Sequence, residues 1–161
     1  MKSAELKIGR TFGVVFEHGK DFFEELDSFC RENNVKQAFI PMFMAGFSEA
    51  ELIESAEIKN VDSEGNVLWS KVRLENVDVL GGGTIAYDSI NKTIQPHIHV
   101  SVGKKTQSNT MYTCHLLSAK VMYLTEMLVI EIVSPVMQRI VNPDLYNIAL
   151  LSFLGDDENV E

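Results

Sequence analysis

The segment Pro96–Val102 reads Pro-His-Ile-His-Val-Ser-Val and contains the clearest chemical signal in the sequence. Side chains alternate along a strand, so His97, His99 and Ser101 share one face, and the intervening apolar residues face the core. The two histidine Cα atoms are then roughly 6.5 Å apart. At that spacing two ring nitrogens can converge on one ion, and imidazole suits zinc, copper, nickel and iron. The pattern therefore indicates a metal-binding pair, with a solvated polar strand face as the alternative.

His115 is the third histidine of interest, because it follows the strand after a short loop. If the segment around His115 pairs with strand Gln95–Val102, a cluster of three histidines becomes geometrically feasible. Three histidines with water as the fourth ligand are the pattern of catalytic zinc. The fourth histidine, His18, stands beside Gly19 at the end of a predicted strand and is interpreted as a turn residue.

Glu126 is the second candidate, because its strand phase is otherwise apolar: Met122, Leu124, Leu128, Ile130 and Ile132. A carboxylate on a buried face must be paired, protonated or coordinated. We therefore consider Glu126 as a metal ligand, a partner of a ligand or a catalytic base. The alternative is a structural salt bridge to Arg139 or to a neighbouring subunit. Glu131 lies on the opposite phase and is expected to be solvated.

The two cysteines, Cys30 and Cys114, are too few for a disulfide framework or a cysteine-only zinc site. Cys114 precedes His115, but adjacent strand residues point to opposite faces, which argues against a nucleophile–base pair. Cys30 lies on the apolar stripe of a predicted helix and is expected in the core.

The elements that must position these residues follow from periodicity and turn signals. A strand over Phe12–Phe16 precedes a helix whose apolar stripe runs from Phe22 to Cys30. The helix is expected to end at Asn33-Asn34. Pro41 within the apolar run Ala38–Phe47 predicts an edge or irregular strand. Ser63–Asn66 predicts a hairpin turn between Leu52–Val61 and Val67–Leu80. Further features are a bulge or close backbone approach at Gly81–Gly83, a turn at Asp88–Lys92, a loop at Gly103–Thr110, a long apolar segment from His115 to Val133, a turn at Asn142–Asp144 and a segment Tyr146–Phe153.

The composition indicates one globular domain over residues 5–154, followed by an acidic disordered tail over residues 155–161. Of the 161 residues, 45% are hydrophobic and 23% charged, which is too apolar for a disordered protein. A net charge of −9 disfavours DNA as a partner. No apolar run reaches the roughly 20 residues that span a membrane, and no secretion signal is evident. We therefore expect a cytoplasmic protein.

The order of these motifs resembles the PPC (plants and prokaryotes conserved) domain. The resemblance rests on Gly81–Ala86, His97–Val102, Cys114–Leu116 and Thr125-Glu126, with Phe43–Leu52 upstream and Gln138-Arg139 downstream. It covers about Arg10 to Phe153. Any one of these motifs is moderately specific, but the ordered set is strongly so.

The resemblance implies an α/β (α+β) fold: a mainly antiparallel sheet with one principal helix packed against it, assembled as a homotrimer. It also implies a metal site at His97, His99 and His115, with zinc or another divalent transition metal as the cofactor. Plant members carry a separate AT-hook that binds the minor groove, and stand-alone prokaryotic members are often named DNA-binding proteins by similarity.

The sequence departs from the family pattern in two places. No Arg-Gly-Arg-Pro occurs in these 161 residues, so the AT-hook element that reads DNA is absent from them. Thr113-Cys114 replaces the usual Gly-Gly before the third histidine, which narrows the freedom of the backbone there.

Three hypotheses remain open at this point: a homotrimeric metal-binding protein, a DNA-associated regulatory protein, and a metal-assisted hydrolase or lyase with Glu126 as its base. The small-molecule ligand that such an enzyme would take is not indicated by the sequence.

Overall fold

The computed structural model describes residues 3–55, 57–58, 60–104 and 111–154, and these residues form a mainly antiparallel sheet with one α-helix. The predicted fold class is confirmed. The elements are β1 (Lys7–Glu17), α1 (Phe22–Glu32), β2 (Ala38–Ile53), β3 (Lys71–Asp88), β4 (Thr93–Lys104), β5 (Met111–Ser134), β6 (Val136–Asn142), a short 3-10 helix (Pro143–Leu145) and β7 (Ile148–Leu154). The predicted loop at 103–110 lies largely outside the described residues, and the acidic tail lies wholly outside them.

The main sheet closes on itself through its longest strand. Its strand order is β1-β5-β2-β3-β4, and β5 additionally pairs with β4. The 24 residues of β5 reach several partners: its first residues pair with β4, and later ones pair with β2 and β1. β6 and β7 form a separate two-stranded ribbon. This closure brings the His115 end of β5 beside β4, as the sequence interpretation requires.

The apolar stripe of helix α1 is buried in the core, as the sequence predicts. The Asp21 side chain accepts hydrogen bonds from the backbone N–H groups of Phe23 and Glu24 and caps the first turn. Phe22, Leu26 and Cys30 are at most 2% exposed. Burial raises the pKa of the Cys30 thiol to about 12, consistent with an inert core cysteine. No helix in the described part of the chain is long and apolar enough to cross a membrane.

Pro41 does not place its strand at an edge, so that half of the sequence prediction is wrong. β2 lies between β5 and β3. The irregularity is confirmed: the register shifts between Phe39 and Met42 on one side and between Ile40 and Phe43 on the other. Because the bulge takes Pro41 out of both ladders, its missing N–H costs the sheet no hydrogen bond.

The hairpin turn around Ser63 to Asn66 also forms. The Asp62 side chain accepts hydrogen bonds from the backbone N–H groups of Glu64 and Asn66, and Gly65 has φ +86°. Val61 and Val67 form only an isolated bridge, and β3 begins at Lys71 rather than at Val67. The connection between β2 and β3 is therefore longer than the turn signal alone implies.

An ion pair ties the end of α1 to the sheet. Arg10 Nε and Nη2 donate to the two carboxylate oxygens of Glu131 at 2.8 and 2.7 Å, and Nη2 also donates to the Asn33 carbonyl at 2.9 Å. The Glu131 side chain is 16% exposed. The expectation that Glu131 is simply solvated is therefore wrong, because Arg10 reaches it across the β1–β5 pair. Hydrogen bonds from Arg10 lower the pKa of Glu131 to about 2.

We predict that Glu131→Gln lowers the free energy of unfolding by about 1 kcal/mol at pH 7. The pKa of Glu131 lies below the value of the unfolded chain, so its contribution is present above about pH 4.5 and is lost as the pH falls towards 2. Urea unfolding of both proteins between pH 7 and pH 3 measures the difference, which should shrink with acidification. Glu5→Gln, at an exposed site, is the matched control; a difference for Glu131→Gln that is independent of pH contradicts the prediction.

Candidate metal centre

The structure places His97 and His99 on β4 with alternate residues in the core, as the sequence predicts. Ile98, Val100 and Val102 are at most 1% exposed, whereas the histidines remain partly exposed on the other side. His99 pairs directly with His115 across the β4–β5 ladder. Paired residues on neighbouring antiparallel strands project to the same face, so the third ring joins the first two.

The three rings meet closely. Their centroids are 5.0 Å apart for His97–His99, 4.7 Å for His97–His115 and 5.4 Å for His99–His115. One ring nitrogen from each lies within 4.8 Å of the other two. Among the described residues, no hydrogen bond occupies the nitrogens of these three rings. Three unpartnered nitrogen donors therefore face a common point.

Electrostatics favours the neutral form of two of these histidines, His97 and His115. The pKa of His97 is lowered to about 4, first by burial and then by the positive charges of His115, Arg139 and His99. The pKa of His115 is also lowered, first by burial and then by the charges of His99 and Arg139. A histidine must be deprotonated to bind a metal, so the rings of His97 and His115 are already in the ligating state at neutral pH.

The glycine run predicted as a bulge or close approach packs against β4 at the histidines. Gly82 pairs with His99, Gly83 with Ile98 and Thr84 with His97. A Cβ atom built on Gly83 would lie 2.2 Å from the backbone oxygen of His97 and 2.8 Å from Ile98 Cδ1. Only glycine permits this approach, and the position of the His97 backbone depends on it.

A cavity of about 460 Å³ opens beside the three histidines. Its other lining residues come from the end of β2, the β2–β3 connection, β5 and the turn end of the β6–β7 ribbon: Ile53, Asn66, Val67, Trp69, Cys114, Tyr146, Asn147, Ile148 and Ala149. Asn147 Nδ2 donates to the Glu64 carbonyl and to Asn66 Oδ1, joining the ribbon to the β2–β3 connection. Apart from Cys114, these lining residues are not predicted from the sequence, because no periodic pattern links a loop tryptophan to a distant ribbon.

Cys114 borders the same cavity as His115, although strand alternation argues against their pairing. Its sulfur is not one of the atoms that converge with the histidine nitrogens. His18 is separate from the cluster: its Nδ1 accepts a hydrogen bond from the Tyr123 backbone N–H at 3.0 Å. This contact agrees with the structural role inferred for His18.

Glu126 lies away from this cavity, on the exposed face of the sheet. Its neighbours across the ladders are Val15 on β1 and Met44 on β2. The expectation of a buried carboxylate is wrong, because the core takes the other phase of β5, including Thr125 and Met127. The suggested bridge to Arg139 does not form either. Arg139 Nη2 donates instead to Thr84 Oγ1 at 2.5 Å.

Comparison with known proteins supports this architecture. A family model described as the Plants and Prokaryotes Conserved (PCC) domain matches residues 3–133. No curated protein matches the sequence.

Several solved structures share the fold. A protein from Archaeoglobus fulgidus called a metal-containing protein has 22% identity and a TM-score of 0.75, with 96% of this chain and 100% of that chain covered. A plant- and prokaryote-conserved protein from Pyrococcus horikoshii has 17% identity and a TM-score of 0.74, with coverages of 96% and 99%. A protein from Ralstonia eutropha named "Putative DNA-binding protein" has 20% identity and a TM-score of 0.70, with coverages of 88% and 90%. At these identities the likeness shows the fold.

We predict that Gly83→Ala destabilises the protein by about 1–3 kcal/mol, because its methyl group collides with the backbone of His97. Gly13→Ala is the matched control, since a Cβ atom there meets nothing within 4 Å. Chemical unfolding of both variants measures the effect. Equal stability of the two variants would show that β4 can shift away from Gly83 at no cost.

Proposed function

Because this chain belongs to the Plants and Prokaryotes Conserved domain family, we propose that it is a homotrimeric, metal-binding member of that family. His97, His99 and His115 hold a divalent transition metal, and zinc is the first choice. The observation that carries this proposal is the convergence of three unpartnered ring nitrogens within 4.8 Å. The description of the Archaeoglobus fulgidus protein as metal-containing agrees with it.

The donor set fits such an ion. Two nitrogens bound to one zinc at about 2.1 Å in tetrahedral geometry are about 3.4 Å apart. The ring nitrogens of the three histidines lie within 4.8 Å of one another, so only small rotations of these partly exposed rings are needed to reach the zinc-bound spacing. Three histidines leave a coordination position for water or a ligand, and the adjoining cavity gives a ligand room to approach. When bound, zinc would act there as a Lewis acid and lower the pKa of its water.

The proposed trimer rests on an exposed apolar face of the sheet. Val15, Met44 and Leu80 are between 48% and 64% exposed. Cross-strand pairing puts them in one row: Val15 pairs with Glu126, Glu126 with Met44, and Met44 with Leu80. Met42 and Leu128 form the adjacent pair and are also exposed. A contiguous apolar patch of this kind marks a protein interface, and a further copy of the chain is the occupant we propose.

Glu126 lies in the middle of this apolar row and not beside the histidines. Within the proposed trimer its charge would have to be compensated at the subunit interface, which agrees with the earlier alternative of a bridge to a neighbouring subunit. The structure of a single chain gives no support for a metal-assisted hydrolase or lyase with Glu126 as its base, because Glu126 does not line the histidine cavity.

A DNA-associated role has no specific structural support in the described residues. Five basic side chains there, Arg10, Lys20, Arg31, Lys71 and Arg73, are paired with carboxylates. A net charge of −9 per chain becomes about −27 in a trimer, which repels phosphate. The metal-binding proposal therefore takes precedence.

We predict that the purified protein binds about one zinc ion per chain, and that the double variant His97→Ala/His99→Ala binds none. The reason is that one remaining imidazole cannot hold the ion alone. Elemental analysis after mild purification and dialysis against zinc measures the content. His18→Asn is the matched control, since it removes the histidine outside the cluster; equal, negligible metal in all three proteins would refute the site.

We predict that the protein sediments as a trimer of about 54 kDa, three times 18.1 kDa, and that Met44→Glu shifts it to monomer. A second carboxylate directly opposite Glu126 would place two like charges side by side in the buried apolar row. Light scattering or sedimentation equilibrium measures the mass. Ile90→Glu is the control, because Ile90 is 88% exposed in the turn after β3; a monomeric wild type, or a Met44→Glu trimer, contradicts the proposal.

A further inference from the structure

Arg139 is the basic residue of greatest interest near the histidine cluster. It lies on β6, in the ribbon whose far end forms a wall of the cavity. Its guanidinium donates to the Oγ1 atom of Thr84, and Thr84 is the cross-strand partner of His97. Because paired side chains share a face, this contact holds a positive charge beside His97.

No carboxylate neutralises this guanidinium within the described part of the chain. Burial lowers the pKa of Arg139, and no carboxylate opposes that effect. The contrast with Arg10 is clear, since Glu131 holds that guanidinium with two hydrogen bonds. A partly buried cation without a counter-ion is costly, so the site favours the arrival of negative charge.

The cavity itself offers no negative charge. Among the residues that the structure describes, neither an aspartate nor a glutamate lines it, although the chain contains 23 acidic residues. Neutral imidazoles would leave both charges of a divalent ion uncompensated. With Arg139 nearby, the site would carry three formal positive charges and no protein anion.

The lining and the volume of the cavity indicate the size and polarity of the ligand apart from its charged group. Apolar lining residues are Ile53, Val67, Trp69, Ile148 and Ala149, and the polar ones include Asn66 and Asn147. A volume of about 460 Å³ suits a small molecule rather than a polymer chain. An inorganic anion would satisfy the charge but would leave the apolar wall uncovered.

We propose that the histidine cavity binds a small organic carboxylate. The uncompensated positive charge of the site attracts the carboxylate group, and the apolar part of the ligand packs against the apolar lining residues, which include Trp69. This inference rests on the proposed metal site and adds its ligand class. Arg139 acts as a positioning residue for this ligand. The positive charge of its guanidinium attracts the carboxylate group that is bound at the histidine cluster, and the hydrogen bond to Thr84 holds the guanidinium in place.

The experiment uses the only tryptophan of the chain, Trp69, as a reporter inside the cavity. Zinc content is measured first. The zinc-loaded protein is then titrated with phenylacetate, with its neutral analogue phenylacetamide and with inorganic phosphate, following tryptophan fluorescence and calorimetric heat. We expect phenylacetate to change the fluorescence and to bind at least about tenfold more tightly than phenylacetamide.

The variant Arg139→Met separates an electrostatic role from a structural one. Removing the charge should weaken phenylacetate binding about tenfold, while zinc affinity stays the same or rises, because the guanidinium repels the ion. Arg139→Lys retains the charge and should retain phenylacetate binding. Arg73→Gln, on a guanidinium paired with Glu49, is the control and should change neither affinity.

The outcomes are distinguishable. Absence of zinc binding would refute the proposed metal site and this inference with it. Zinc binding combined with equal affinities for phenylacetate and phenylacetamide, or with no fluorescence change, would refute the inference alone. Binding of phosphate in preference to phenylacetate would also overturn it, as would an Arg139→Met variant that folds and keeps full phenylacetate affinity. Loss of zinc together with phenylacetate in both Arg139 variants would assign Arg139 a merely structural role.

Discussion

The pairing of His99 with His115 across β4 and β5 is the contact on which the candidate site depends. It exists because β5 is long enough to meet β4 at one end and β2 and β1 further along. Once the sheet closes in this way, paired side chains must share a face, and His97 joins them two residues earlier on the same strand. The close packing of Gly83 against the His97 backbone keeps that strand in place.

The charge distribution around the site contrasts with that of the whole chain. The protein is strongly acidic, yet its histidine cavity has no acidic lining residue within the described structure, and the guanidinium of Arg139, which has no counter-ion among the described residues, lies beside His97. Elsewhere Arg10, Lys71 and Arg73 are each paired with a glutamate. A locally positive site in a chain of net charge −9 favours small anions over extended polyanions, since a polyanion must also approach the rest of the negatively charged protein.

Glu126 and Pro41 show where reasoning from local pattern fails. The apolar residues in phase with Glu126 suggest a buried face, but both phases of β5 are rich in apolar residues, and only the closed sheet decides which phase faces the core. Pro41 suggests an edge because proline lacks an N–H, but a bulge removes it from the ladders and leaves β2 central. In both cases one residue's chemistry is compatible with two positions, and the choice depends on strands far away in the sequence.

Local sequence patterns predict the strand phase of His97 and His99, the bounds of α1 to within two residues, and the turns at Ser63–Asn66 and Asp88–Lys92. These features depend on alternation, capping and turn chemistry within a few residues of one another. Long-range packing determines that His115 completes the cluster and that Trp69, Asn147 and Ile148 line a cavity beside it. It also places Arg139 beside His97, where it does not meet Glu126. Those relations join residues tens of positions apart, and their distances are set by sheet closure and packing, which no local pattern encodes.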